Sequence, residues 1–225
     1  MKLSKAKLIK LVKPKLLNLG YTEFKSTKDG AQGFFCKKLN HEFYLTLGLT
    51  IHRFYDSYFT GDFYLSTNTV FAAQWGDIPS EIYNRPSFLL TDEERTAFYD
   101  DYFNTNNAKD IWFDAMCNES MALFFRMIEL VEPRFTNQPE LLNKIKQSQT
   151  IKTLSLYAEK VKQEISKNKT DGEYAFLPSK EVDDIPMLWF KAAEKVLKDN
   201  KGILDTYAVI GLASDAYRQY ELDKS

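Results

Sequence analysis

The stretch Phe43-Tyr44-Leu45-Thr46-Leu47-Gly48-Leu49-Thr50-Ile51-His52 decides how this chain is read. Phe43, Leu45, Leu47, Leu49 and Ile51 alternate with Tyr44, Thr46, Gly48, Thr50 and His52, and a period of two is that of a strand with one side in a core. Just upstream, residues 33–39 read as a second strand that returns through a tight turn at Asn40 and His41. That turn sets Phe34 opposite Leu47 and Cys36 opposite Leu45, all on the apolar side. Downstream, a turn over Asp56 to Gly61 leads into a third strand at 62–73, where Phe63, Leu65 and Phe71 share one parity. Placing His52 near Tyr64 keeps apolar residues against apolar ones, so an antiparallel meander of about three strands is expected.

Outside this block the period lengthens. Leu8, Val12, Leu16 and Leu19 are spaced for an amphipathic helix over 3–19, with Gly20 suited to close it and Pro14 expected to kink or break it near Lys13. From Trp75 on, helix-start signals dominate. Asp77-Ile78-Pro79 and Asp184-Ile185-Pro186 each place a carboxylate before a first-turn proline, and Thr91 with Glu94 forms a capping box for a helix to about Tyr102. Residues 108–131 carry Trp112, Phe113, Met116, Phe124, Met127, Ile128 and Val131 on a helical face ending before Pro133. Further helices are expected within 138–167 and near 186–199 and 203–220. The fold class is therefore α+β, with an N-terminal helix and antiparallel meander at 1–90 and a mainly helical region at 91–225 packed on the sheet as one compact unit, because a sheet with one apolar face needs a cover.

Composition narrows the classes of function. With 30 Lys+Arg against 31 Asp+Glu and 15% aromatic residues, the chain reads as an ordinary folded protein. Cys36 and Cys117 are too few for a disulfide framework, and no apolar run approaches the ~20 residues of a membrane span, so a cytoplasmic, unanchored protein is expected. The chain has no glycine-rich phosphate loop, Gly-x-Ser-x-Gly elbow, His-Glu-x-x-His pair or EF-hand loop. No catalytic residue, metal ligand or cofactor is assigned on these grounds.

Three surfaces remain as candidates. The polar side of the meander gathers hydroxyl, amide and imidazole groups, and Tyr44, Thr50, His52, Tyr64 and Asn68 are its candidate ligand-binding residues. His52 with Asp56 and Asp62 would make an acid/base or metal cluster if the turn folds inward, whereas turn residues alone explain the two aspartates. The first helix carries Lys2, Lys5, Lys7, Lys10, Lys13 and Lys15 with no acidic residue before Glu23, and Lys5, Lys7, Lys10 and Lys13 are its candidate nucleic-acid contacts. Against that, residues 91–120 hold eight acidic residues and only Arg95 and Lys109, so the two segments are expected to neutralise each other. The third surface is the aromatic-rich stretch containing Phe63, Tyr64, Trp75, Tyr83, Phe88 and Leu89, which reads as the join between sheet and helices in preference to an interface anchor.

The opening layout, a helix closing at Gly20-Tyr21, a strand through Phe34-Phe35 and then Phe43-Tyr44-Leu45-Thr46-Leu47-Gly48, resembles bacterial domain-of-unknown-function families, some of immunity-protein type. The likeness spans roughly the first third of the chain. It implies a non-enzymatic protein-binding module of immunity or accessory type. The alternatives are a small-ligand receptor or unfamiliar enzyme with a pocket between sheet and helices, and nucleic-acid binding through the first helix.

Overall fold

A computed structural model describes residues 2–25, 31–69, 82–99, 110–167, 181–182, 184–202 and 206–224. Helix α1 (Lys5–Asn18) buries Leu8, Val12 and Leu16, and Gly20 closes it at a φ of 85°. The expected break does not occur: Pro14 lies within the helix, and both it and Lys10, whose carbonyl loses its partner, face solvent. Strands β1 (Thr22–Phe24), β2 (Gly33–Lys38), β3 (Tyr44–Ile51) and β4 (Tyr58–Ser66) then form an antiparallel meander. Two short strands, β5 (Tyr83–Asn84) and β6 (Phe113–Asp114), share the outer edge of β4. Among the described residues the sheet therefore has six strands where the sequence suggested about three.

Both hairpin registers differ from expectation. Phe35, not Phe34, lies opposite Leu47, and Cys36 pairs with Thr46. The connection is longer than a tight turn: Leu39 N–H bonds the Phe43 carbonyl at 2.9 Å, and the Asn40 side-chain oxygen accepts from the backbone of Glu42 and Phe43. One added residue moves Phe34 and Cys36 to the other face. In the second hairpin, Thr46 faces Tyr64, Ile51 faces Phe59, and His52 N–H bonds the Tyr58 carbonyl at 2.7 Å. The turn is therefore 53–57, and the strand begins four residues earlier than expected. The slip from the expected His52–Tyr64 pairing is an even number, so parity survives. The far end of the expected strand, 70–73, lies outside the described residues, as do Trp75 and Asp77-Ile78-Pro79.

Helical boundaries also move. The capping box at Thr91 and Glu94 is present, but α2 is short (Asp92–Thr96). Helix α3 spans Asn118–Thr136, so Trp112 and Phe113 precede it, with Phe113 in β6, and Pro133 lies inside it. The last turn forms because Phe135 is buried and stacks on Phe63, their centroids 5.8 Å apart. Helices α4 (Pro139–Gln147), α5 (Gln149–Lys167), α6 (Met187–Asp199) and α7 (Thr206–Lys224) follow near the expected places. Asp184 does not cap α6. It sits at a φ of 63° in a two-residue hairpin between β7 (Glu181–Val182) and β8 (Ile185–Pro186), and pairs with Lys25.

The sheet is covered on both sides. Leu45, Leu47, Leu49, Phe59, Phe63 and Leu65 pack under α1, α3 and α4 in the main core. Phe34, Cys36 and Tyr44 pack on the other side with Leu222 of α7. A separate cluster joins α5, α6 and α7 through Ala158, Val161, Trp189, Ala193, Leu212 and Ala216.

Candidate functional site

Covering the second face buries much of the polar side of the meander. Tyr44, Tyr64 and Asn68 are buried; Tyr44 donates to Asp223 at 3.0 Å and Tyr64 to Asn68 at 3.2 Å. Burial pushes both phenols above their ordinary pKa. Thr50 is half-buried farther along β3, and His52 lies beyond it in the turn, so of the five residues expected to share one ligand Tyr64 and Asn68 meet while Thr50 and His52 lie apart from them. Beneath α7 the polar groups act as an adhesive. Asp215 accepts from Thr69 N–H at 2.6 Å, Thr69 Oγ1 at 2.7 Å and Gln219 Nε2 at 3.0 Å, while Arg218 donates to the Thr69 carbonyl at 3.0 Å and lies over the Phe34 ring.

The lysine helix is also divided. Lys13 pairs with Glu23 at 2.7 Å and Lys15 with Glu129 at 2.8 Å, both partners lying outside the acidic segment at 91–120. Within that segment Asp92 holds Arg95 and Glu94 holds Arg134. Lys7 reaches Met116 Sδ at 3.1 Å, and Lys10 is exposed. Lys5 is exposed as well, so among the described residues only Lys13 of the four is held in a salt bridge that closes on β1.

A different site is built at the β3–β4 turn. His52 Nδ1 accepts from the backbone N–H of Phe54 and of Tyr55, each at 3.1 Å, which bends the chain as an Asx side chain would. Two acceptances at Nδ1 leave the proton of the neutral ring on Nε2. Desolvation lowers the His52 pKa and the nearby Arg85 charge adds to the effect, against the opposing charge of Asp110. With its backbone held this way, the turn projects Phe54 at 78% exposure and Tyr55 at 41%.

The turn is braced from behind. Trp112 meets His52 edge-on with centroids 4.5 Å apart, and Tyr55 lies 4.7 Å from the same imidazole. Arg85 lies over Trp112 at 5.1 Å, bonds Asp62 at 3.2 Å and pairs with Asp110, which also accepts from Trp112 Nε1 at 3.1 Å. Burial raises Asp62 against the lowering influence of Arg85, and burial with the Asp62 charge pushes Tyr83 up to about 12. His52, Asp56 and Asp62 do not form the acid/base cluster considered above: the imidazole faces its own turn, Asp62 faces Arg85, and Asp56 is exposed. Among the described residues no group of three His, Cys, Asp or Glu side chains gathers as for a metal ion.

Among the described residues a cavity of about 390 Å³ lies between the meander and α4–α5, lined by Glu42, Thr67, Ile145, Lys146, Lys152 and Ser155, and two further ones lie elsewhere. One of about 290 Å³ is apolar and lies among α5, α6 and α7, lined by Thr153, Leu154, Tyr157, Leu197, Gly202 and Leu212. Another of about 320 Å³ lies at the β1 edge between Glu23, Lys25, Asp184, Arg218 and Glu221. Neither takes in a predicted ligand residue. No helix among the described residues is long and apolar enough to cross a membrane.

Sequence reasoning missed Phe54, Tyr55, Arg85 and Trp112. A signal was present: Arg53-Phe54-Tyr55-Asp56 interrupts two alternating strands with aromatics where turns ordinarily place Gly, Pro or Asn. No protein-family model, curated protein or solved structure matches the chain.

Proposed function

We propose that this chain is a non-enzymatic protein-binding module of immunity or accessory type, anchored by the tip of the β3–β4 hairpin. The observation that carries the reading is the 78% exposure of Phe54 on a turn whose backbone is already held by His52. A phenyl ring in water gains by entering a partner's pocket, and a pre-ordered turn loses little conformational freedom in doing so. Aromatic anchors of this kind dominate interface energetics.

Affinity capture from source cells with wild type, Phe54→Ser and Leu156→Ser tests the reading. Leu156 is another exposed apolar residue, placed on α5. The expected result is one protein retained by wild type and by Leu156→Ser and weakened at least ~30-fold by Phe54→Ser, the scale of a strong anchor. Equal retention by Phe54→Ser would remove the tip from the interface.

A further inference from the structure

The surroundings of the tip bear on the chemistry of its partner. Leu3 N–H bonds the Asp56 carbonyl at 2.6 Å, bringing the N-terminal segment beside the turn. Ala115 N–H bonds the Ser57 carbonyl at 2.9 Å, and Lys7 reaches the neighbouring Met116, so α1 and the β6 exit meet at the same place. Lys2, Lys7 and Arg53 thus belong to the segments that meet beside Phe54, Tyr55 and the 40% exposed Met116. None of these three cations enters an ion pair among the described residues, whereas Lys13 and Lys15 farther along α1 are both paired. Arg53 lies over the outward Phe54 ring at 5.6 Å.

Among the described residues the nearby carboxylates are held, one by a cation and two by neutral donors that leave their charge in place. Asp110 pairs with Arg85, Asp114 accepts the backbone N–H of Met116 at 2.9 Å, and Glu119 accepts from Cys117 at 3.2 Å. Asp56 is the exposed exception within the turn.

We infer that the hairpin tip and the start of α1 form one docking surface for an acidic protein segment, with Phe54 entering an apolar pocket while Lys2, Lys7 and Arg53 meet the partner's carboxylates. This rests on the protein-binding reading above. Cations around a desolvating ring attract a complementary surface and set its orientation. A protein suits the site better than a nucleic-acid strand, because discrete carboxylates can be placed around Asp56 whereas an unbroken phosphate chain meets it head-on. A single outward ring also fits one pocket better than a row of stacked bases.

Panning the immobilised full chain against random peptides displayed on phage tests both layers. The expected peptides combine a large apolar residue with several Asp or Glu. Their synthetic forms should weaken about tenfold from low to physiological salt, with a comparable loss in Lys2→Glu/Arg53→Glu and a larger one in Phe54→Ser. Neutral or basic peptides that still require Phe54 would overturn the acidic partner and leave the anchor standing. Peptides indifferent to Phe54→Ser, or no selected peptides at all, would overturn both. Tighter binding of single-stranded oligothymidylate with the same variant dependence would overturn the protein partner in favour of nucleic acid. Unchanged melting temperatures establish that the variants, all at exposed positions, remain folded.

Discussion

The two faces of the sheet are buried in different ways. On one, Leu45, Leu47, Leu49, Phe59 and Phe63 meet α1 and α3 as a purely apolar layer tight enough that a Cβ on Gly61 would stand 2.9 Å from Leu47 and 3.5 Å from Phe124. On the other, Thr46, Tyr64, Ser66 and Asn68 are equally buried, and Thr69 is buried with Asp215, Arg218 and Gln219 of α7. Apolar burial is non-directional and tolerates small shifts, whereas a buried polar layer holds only where donors and acceptors meet. The first face supplies cohesion, and the second fixes where α7 sits.

Cavity formation on the apolar face should give the largest effect. Phe124 touches Phe59 and Phe113 with centroids 4.8 and 5.3 Å away, and Phe124→Ala should cost about 3–5 kcal/mol, read as a lower urea midpoint. On the polar face Asp215→Ala strips the acceptor from Thr69 and Gln219 and removes a negative charge that interacts with Arg218, with an expected cost of about 3 kcal/mol. If the alanine change proves neutral, the adhesive role of this network fails.

Asp215 separates the faces again through pH. Burial raises its pKa against the lowering influence of Arg218, Thr69 and Gln219, and Tyr44 and Tyr64 share its electrostatic surroundings. A folded carboxyl with a raised pKa binds its proton more tightly than the unfolded chain does. Its contribution is therefore complete below the ordinary carboxylate value of about 4 and is lost as pH rises through the folded value. Asp215→Asn should flatten that decline in denaturation curves taken at acid and neutral pH, and no variant of the apolar face should do so.

The smallest effect belongs to the hairpin tip, outside both layers. Because the folded His52 pKa is lowered, its contribution is present above the free value of about 6.5 and is lost as pH falls through the folded value, with His52 Nδ1 ceasing to accept. An imidazole titration by NMR should show a midpoint below about 6.5 and a stability change under about 1 kcal/mol. A midpoint above the free value would contradict the neutral, accepting ring.

The elements were legible where periodicity was strong, and contacts were not. Alternation from Phe43 to Ile51 located β3, and Leu8, Val12 and Leu16 located α1. The register of β2 was not readable, since Phe34 and Phe35 adjoin and either parity puts a large ring against the apolar face. The fate of the polar face was hidden for a related reason: Tyr44, Thr46 and Tyr64 suit a wet strand as well as a buried polar layer. Only the partners this side finds on α7, Asp223 for Tyr44 and Asp215 for Thr69, well over a hundred residues away, distinguish the two. Among the site residues, His52 was noticed, but its bracing by Trp112 and Arg85 depends on β5 and β6, each two residues long and without a periodic signal.

Sequence alone determined the α+β class, the alternation of β3 and the helical second half, because local periodicity and capping chemistry act between residues a few positions apart. Only the tertiary structure decided that both faces of the sheet are covered and that Phe54 stands out at the end of a braced turn. Burial and exposure are settled by which distant element arrives, and distant encounters leave no period in a chain.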